Sequence, residues 1–246
     1  MNSKDRVAVV TGGTGGIGTE ICKRLSEQGA KVIALAYSMS DDDIKQWQQE
    51  NGADIDVKLA NVADSEDSAK VMNEILSAYG KVDILVNCAG ITRDTTFKKM
   101  TAQQWGDVID TNLNSVYNVT QPVWNSMLEN GFGRVINISS INGQRGQFGQ
   151  ANYSAAKAGM HGFTMALAYE GATKGVTANT ISPGYIETAM TAAMRDDVRD
   201  MIVSGIPMKR MGQPAEIASA VAYLASDEST YITGANMPVN GGLFIH

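Results

Sequence analysis

Seven short runs of apolar and β-branched residues recur along the chain, at residues 7–11, 31–36, 55–59, 84–87, 134–139, 177–181 and 236–239. Between them lie segments with helical spacing of apolar positions, at 17–28, 42–49, 65–79, 103–130, 153–173 and 214–225. A strand that is apolar on both faces must be covered on both, and a helix between consecutive strands imposes parallel pairing. The alternation therefore predicts an α/β fold: a single-domain, Rossmann-like, doubly wound parallel sheet of about seven strands. No fixed-period repeat and no Ser/Pro-rich or long charged linker divides the chain, and its 246 residues suit one such domain over 1–246. At 43% hydrophobic and 19% charged residues it needs no disulfide or metal staple. Of the five prolines, Pro183, Pro207, Pro214 and Pro238 fall in loops or at element ends, and Pro122 is expected in the first turn or at a kink of a helix.

Charge and composition exclude several classes. Lys plus Arg number 20 against 26 Asp plus Glu, a net charge of −6 with a pI near 5.0. Nucleic acid is thus not an expected partner, since phosphate neutralisation needs clustered cations. Any polyanionic ligand has to be met by local structure. The two cysteines, Cys22 and Cys88, are expected as buried thiols in a reducing cytosol, not as a disulfide framework. With only His161 and His246, no metal site is expected. Residues 1–6 lead into an apolar run too short for a signal segment, and no stretch reaches the 18 or more apolar residues of a membrane span. The expectation is a cytoplasmic protein without a membrane partner.

The first strand runs into Thr11-Gly12-Gly13-Thr14-Gly15-Gly16-Ile17-Gly18, and a helix follows. Such glycines let the chain turn sharply and let a pyrophosphate approach main-chain N–H groups at a helix N-terminus. Gly13, Gly15 and Gly18 fit G-x-G-x-x-G, whereas Gly12, Gly16 and Gly18 fit G-x-x-x-G-x-G, and the sequence leaves both registers open. After the second strand, an acid would bond a ribose 2′-hydroxyl and an Arg would hold a 2′-phosphate. The chain offers neither in Ala36-Tyr37-Ser38-Met39-Ser40; Asp41-Asp42-Asp43 follow, and no Lys or Arg lies between Lys31 and Lys45. This leans away from strong NADP selectivity without establishing a preference for NAD.

Tyr153-Ser154-Ala155-Ala156-Lys157 opens a predicted helix, so the phenol and the ammonium share a face. A neighbouring cation is expected to lower the phenol pKa and suit Tyr153 to proton transfer. Ser140 follows the strand 134–139, thirteen residues before Tyr153, and can aim a hydroxyl from the strand end at a carbonyl oxygen. The stretch 183–213 is the least regular, with weak helical character over 188–203 and methionines at 190, 194, 201, 208 and 211. It is expected to form a short helical substrate lid at about 185–212.

On these residues, together with Asn61-Val62-Ala63-Asp64, Asn87-Cys88-Ala89-Gly90, Asn112 and Pro183-Gly184, the chain resembles the short-chain dehydrogenase/reductase family over essentially its whole length. The family usually has a second Asn at the position of Cys88. The resemblance implies that Ser140 polarises a carbonyl, Tyr153 delivers the proton, Lys157 binds the nicotinamide ribose and tunes Tyr153, and Asn112 supports a water-linked relay. It implies cofactor contacts from Gly12, Gly13, Thr14, Gly15, Gly16, Ile17, Gly18, Tyr37, Ser38, Asn61, Val62, Asn87, Cys88, Ala89, Gly90, Tyr153, Lys157, Pro183, Gly184, Ile186 and Thr188.

Segments 90–94, 142–153 and 161–168 are similar to those of the acetoacetyl-CoA reductases of polyhydroxybutyrate synthesis. That likeness implies a CoA thioester substrate bound by Asp94, Ser140, Gln147, Phe148, Gln150, Tyr153, Tyr185 and Arg195, NADPH as cofactor, and a homotetramer. NADH is also plausible, because the basic residue for a 2′-phosphate is missing. Arg93, Lys98-Lys99, Arg195 and Lys209-Arg210 are candidate cations for a CoA tail, while Trp105 and Tyr117 are expected to serve helix packing. Alternatives are a 3-oxoacyl-(acyl-carrier-protein) reductase and, from another class, a catalytically silent dinucleotide-binding sensor. A sugar-nucleotide epimerase also uses Tyr-x-x-x-Lys, but usually needs a longer chain.

Overall fold

The computed structural model describes residues 5–192 and 194–245, the side chain of Met190 excepted. Seven strands, β1 (Val7–Thr11), β2 (Lys31–Ala36), β3 (Asp56–Leu59), β4 (Ile84–Asn87), β5 (Gly133–Ile138), β6 (Val176–Pro183) and β7 (Asn236–Val239), form one sheet. Their order is β3-β2-β1-β4-β5-β6-β7, and every pairing is parallel. The expected doubly wound, Rossmann-like sheet is the one observed.

Successive strand residues face opposite sides, which is why each central strand has to be apolar throughout. Ala8 and Val10 pack with Ile21, Cys22 and Leu25 of helix α1 (Gly16–Glu27), Trp47 of α2 (Asp41–Asn51) and Ile217 and Val221 of α10 (Pro214–Ala225). Val7 and Val9 face the other way. They join Val71, Met72 and Ile75 of α3 (Ser65–Tyr79) and Val119, Val123 and Met127 of α5 (Ser115–Asn130). The edge strand β3 is only partly buried, consistent with its weaker apolar pattern.

The single helix expected over 103–130 is two: α4 (Ala102–Ile109) and α5, joined by a π turn, Asp110–Asn114, that contains Asn112. Pro122 lies in the middle of α5, not in its first turn. A short helix, α6 (Ile141–Arg145), follows β5 and precedes the long α7 (Ala151–Gly171). The irregular stretch after β6 carries α8 (Ala189–Ala192) and α9 (Asp196–Gly205). A one-residue parallel bridge between Ile186 and Gly212 closes its base. Trp105 and Tyr117, expected in helix packing, are only partly covered by the chain, at 40% and 58% exposed. Among the described residues, no helix is long and apolar enough to cross a membrane.

Candidate active site

Strand order reverses between β1 and β4, and there the carboxyl ends of neighbouring strands lead their connections to opposite faces, opening a crevice. Thr11 holds that split: its Oγ1 accepts the main-chain N–H groups of Cys88 and Ala89, each at 3.0 Å. A cleft of about 520 Å³ opens above it, lined from the glycine loop by Gly12, Gly15, Gly16, Ile17 and Gly18.

Two of these glycines are dictated by contact. Gly12 has φ +62°, and a Cβ there would lie 3.0 Å from Ala89 Cα. A Cβ on Gly18 would stand 2.1 Å from Gly12 O, so no side chain fits while the loop folds back on the helix. Gly16 opens α1 and lies close to Thr188, whose Cγ2 would be 3.1 Å from an added Cβ. Tight turn, close approach and loop–helix packing thus fall on Gly12, Gly16 and Gly18, favouring the second register. Gly13 packs on Ala34 below the loop. The N-cap Gly15 supplies no side-chain bond and the first turn of α1 holds no acid. The free amides there form an anion cradle that a dinucleotide pyrophosphate fits.

On the opposite wall, Ser140 follows β5 and caps α6, its Oγ accepting the Asn142 N–H at 3.1 Å. Tyr153 and Lys157 descend from α7 into the same cleft. Lys157 Nζ donates to the Ile138 carbonyl at 2.8 Å and stands 5.7 Å from the centre of the Tyr153 ring. Burial pulls the Lys157 pKa down to about 8. The Tyr153 phenol is shifted up, not down: burial dominates, the Ser140 hydroxyl opposes it, and Asp94 and Cys88 add to the rise. The expected lowering by Lys157 is overturned, because desolvation of the phenolate outweighs a cation that is itself half-discharged near pH 8 and turned to Ile138. Tyr153 is therefore fully protonated at neutral pH. Such a phenol is a proton donor.

The buried ammonium has a measurable consequence. Below about pH 8 Lys157 is charged in both folded and unfolded chains, and its burial is a constant penalty. Between that value and the unfolded lysine value of about 10.4, only the unfolded chain keeps the proton, so folding stability rises with pH. Thermal melts of wild type and Lys157→Met from pH 7 to 9.5 should show wild type gaining on the variant. A constant difference would contradict the assignment.

Cys88, Ala89, Gly90, Pro183, Gly184, Ile186 and Thr188 also line the cleft, as do Asp94, Gln150 and Tyr185. Asp94, Gln150 and Asn142 are chained, Gln150 Nε2 donating to Asp94 Oδ2 at 2.7 Å and Asn142 Nδ2 to Gln150 Oε1 at 2.9 Å. The Cys88 thiol is raised to about 11 by burial and is no nucleophile at neutral pH.

Other expected residues are placed elsewhere. Gly13, Thr14, Tyr37, Ser38, Asn61, Val62 and Asn87 lie off the cleft wall. Asn87 is buried and donates to Asn137 Oδ1 at 2.7 Å and to Thr120, tying β4 to β5. Asn61 accepts the Ala63 N–H and shapes the turn into α3. The Asn112 side chain is committed to Ile91, accepting its N–H at 2.8 Å and donating to its carbonyl at 2.9 Å. That clamp shapes the loop after β4, which lines the cleft with Ile91 and Thr92. Gln147 and Phe148 are exposed outside the cleft. Arg195 is 80% exposed and held in a fork by Asp197 at 3.0 and 2.6 Å, so it is not aimed into the cleft. Arg210 is likewise paired with Glu216. Ile91, Thr92 and Asn142, for which the sequence suggested no contact of their own, are also on the cleft wall, and Thr191 and Met194 reach it from the stretch expected as the lid.

A family model described as Enoyl-(Acyl carrier protein) reductase matches residues 12–244. The acetoacetyl-CoA reductase of Allochromatium vinosum is 65% identical over 244 residues, covering 98% of this chain and 99% of that protein. The 3-oxoacyl-[acyl-carrier-protein] reductase of Vibrio cholerae is 46% identical over 246 residues, the whole of both. The crystal structure of gox2181 superposes with a TM-score of 0.92 at 35% identity, covering 98% of this chain and 96% of that one. With the parallel sheet, the glycine cradle and the Ser140–Tyr153–Lys157 wall on one cleft, the chain belongs to the short-chain dehydrogenase/reductase family.

Proposed function

We propose that this enzyme reduces the 3-oxo group of acetoacetyl-CoA to (R)-3-hydroxybutyryl-CoA, the precursor for polyhydroxybutyrate synthesis. The observation that carries it is the pair of hydroxyls, Ser140 and a phenol held protonated on Tyr153, converging on one cleft beside the α1 cradle. When bound, the nicotinamide supplies the hydride. The free amides at the start of α1 would hold the pyrophosphate, and Lys157 would hold the ribose next to the nicotinamide. Ser140 and Tyr153 donate to the carbonyl oxygen as it gains charge, and Tyr153 gives up its proton. Asn112 shapes the loop through Ile91 and serves the relay that returns a proton to Tyr153. Asp94, Gln150 and Tyr185 enclose the acyl end. Gln147, Phe148 and the Lys98–Lys99 pair meet the CoA tail beyond the cleft, with the segment 185–212 as lid. Comparing kcat/KM for acetoacetyl-CoA and for acetoacetyl-carrier-protein tests the carrier. The CoA thioester should be preferred, and the reverse order would reject this choice.

The coenzyme assignment is NADH. Tyr37 and Ser38 follow β2 exposed, Ser40 and Asp43 cap each other at the start of α2, and Asp41 and Asp42 stand beside them. The first cation, Lys45, is paired with Asp42 at 3.6 Å. A 2′-phosphate would meet carboxylates without a guanidinium. Ser38→Arg should raise kcat/KM for NADPH by about 10- to 100-fold, the worth of one charge-assisted bond. Initial rates with both coenzymes measure it; a wild-type preference for NADPH would contradict the assignment. For assembly, the exposed Trp105, Tyr117, Met165 and Tyr169 on α4, α5 and α7 supply the apolar faces a homotetramer would bury.

A further inference from the structure

Ser140 and Lys157 belong to different elements, and their alignment depends on how the end of β5 is fastened to α7. Lys157 Nζ donates to Ile138 O at 2.8 Å. The buried Ser139 donates its hydroxyl hydrogen to the main-chain carbonyl of Lys157 at 2.8 Å, and His161 Nε2 lies 2.9 Å from the same hydroxyl oxygen. A hydroxyl has one hydrogen. Ser139 has spent it on Lys157, so its oxygen accepts from His161, which places the imidazole hydrogen on Nε2. Burial lowers the His161 pKa and keeps the ring neutral. In helical geometry the Lys157 carbonyl also accepts the main-chain N–H of residue 161, four positions on. The three bonds form a closed ring: His161 to Lys157 through the helix, Ser139 to Lys157, and His161 back to Ser139.

Ser139 and Lys157 line the cleft, while His161 does not. We propose that His161 is a positioning residue for the reaction: through Ser139 it locks the turn of α7 that carries Lys157 against the strand end that carries Ser140. The proposal rests on the carbonyl-reduction reading and assigns a role to a histidine that never touches substrate. The loss of such a bond misaligns the reacting wall without opening the binding site, so kcat should respond and KM should not.

The test uses His161→Ala, His161→Gln, Ser139→Ala and the double variant Ser139→Ala/His161→Ala, with acetoacetyl-CoA and NADH. His161→Ala should lower kcat about tenfold, the worth of one hydrogen bond, with both KM values within about twofold of wild type. His161→Gln, whose amide can donate to Ser139, should recover most of the loss at an unchanged melting temperature. The double variant should be no worse than Ser139→Ala alone, since both residues act through one bond. Wild-type kcat in His161→Ala, equal losses in the Ala and Gln variants, or additive losses in the double variant would each overturn the proposal. If wild type itself fails to turn over acetoacetyl-CoA, the carbonyl-reduction reading falls and this role with it; normal wild-type turnover confines any failure to His161.

Discussion

Tyr153→Phe should bind NADH with an affinity within about twofold of wild type and lose roughly three orders of magnitude in kcat, the range of a positioned general acid. The substitution removes one oxygen and leaves the ring in place on α7, where its face lies 5.7 Å from Lys157 Nζ. The glycine cradle, on the other wall, is untouched. Because burial holds the phenol protonated, reduction needs no prior ionisation of Tyr153. The reverse reaction does, so alcohol oxidation should demand a higher pH than carbonyl reduction. Titration of NADH fluorescence and steady-state rates separate the two effects. A variant with near-normal turnover would remove Tyr153 from the chemistry.

Gly18→Ala is the second large effect. Its Cβ would stand 2.1 Å from Gly12 O and within 2.9 Å of Gly13 Cα, all backbone atoms that cannot rotate away. Either the loop lifts from α1 or the helix start shifts, and the cradle is lost in both cases. Overpacking of this kind costs about 1–3 kcal/mol or more, and NADH affinity should fall at least 100-fold. Gly15→Ala is the control, since its Cβ would meet only Gly12 O at 3.3 Å. It should keep the wild-type melting temperature, measured by calorimetry alongside NADH binding. Equal melting temperatures for all three proteins would show that the loop is not packed as described.

The sheet was legible because buried parallel strands must be apolar on both faces, and all six connections between the strands carry helical periodicity. What escaped the sequence were features decided by local geometry. The π turn at Asp110–Asn114 interrupts a run whose apolar spacing continues through it, so one helix was expected where two stand. Tyr153, Lys157 and Ser140 were legible as a group because spacing places two of them on one helix face and the third at a strand end. The direction of the Tyr153 shift was not, since it depends on how deeply the phenol is buried. Arg195 was expected at the substrate and is instead forked by Asp197, a competitor two residues away that the sequence displays but cannot rank. The same holds for Lys209-Arg210: Arg210 is taken by Glu216, and Lys209 donates to Ser204 O.

The central claim is that the paired hydroxyls act on a carbonyl, whereas the matched family description names an enoyl reductase. Purified protein given NADH with acetoacetyl-CoA, and separately with crotonyl-CoA, decides between them by loss of absorbance at the reduced-nicotinamide band and by chiral analysis of the product. The account predicts stoichiometric conversion of acetoacetyl-CoA to (R)-3-hydroxybutyryl-CoA and no reduction of crotonyl-CoA. Reduction of crotonyl-CoA with acetoacetyl-CoA left untouched would contradict it.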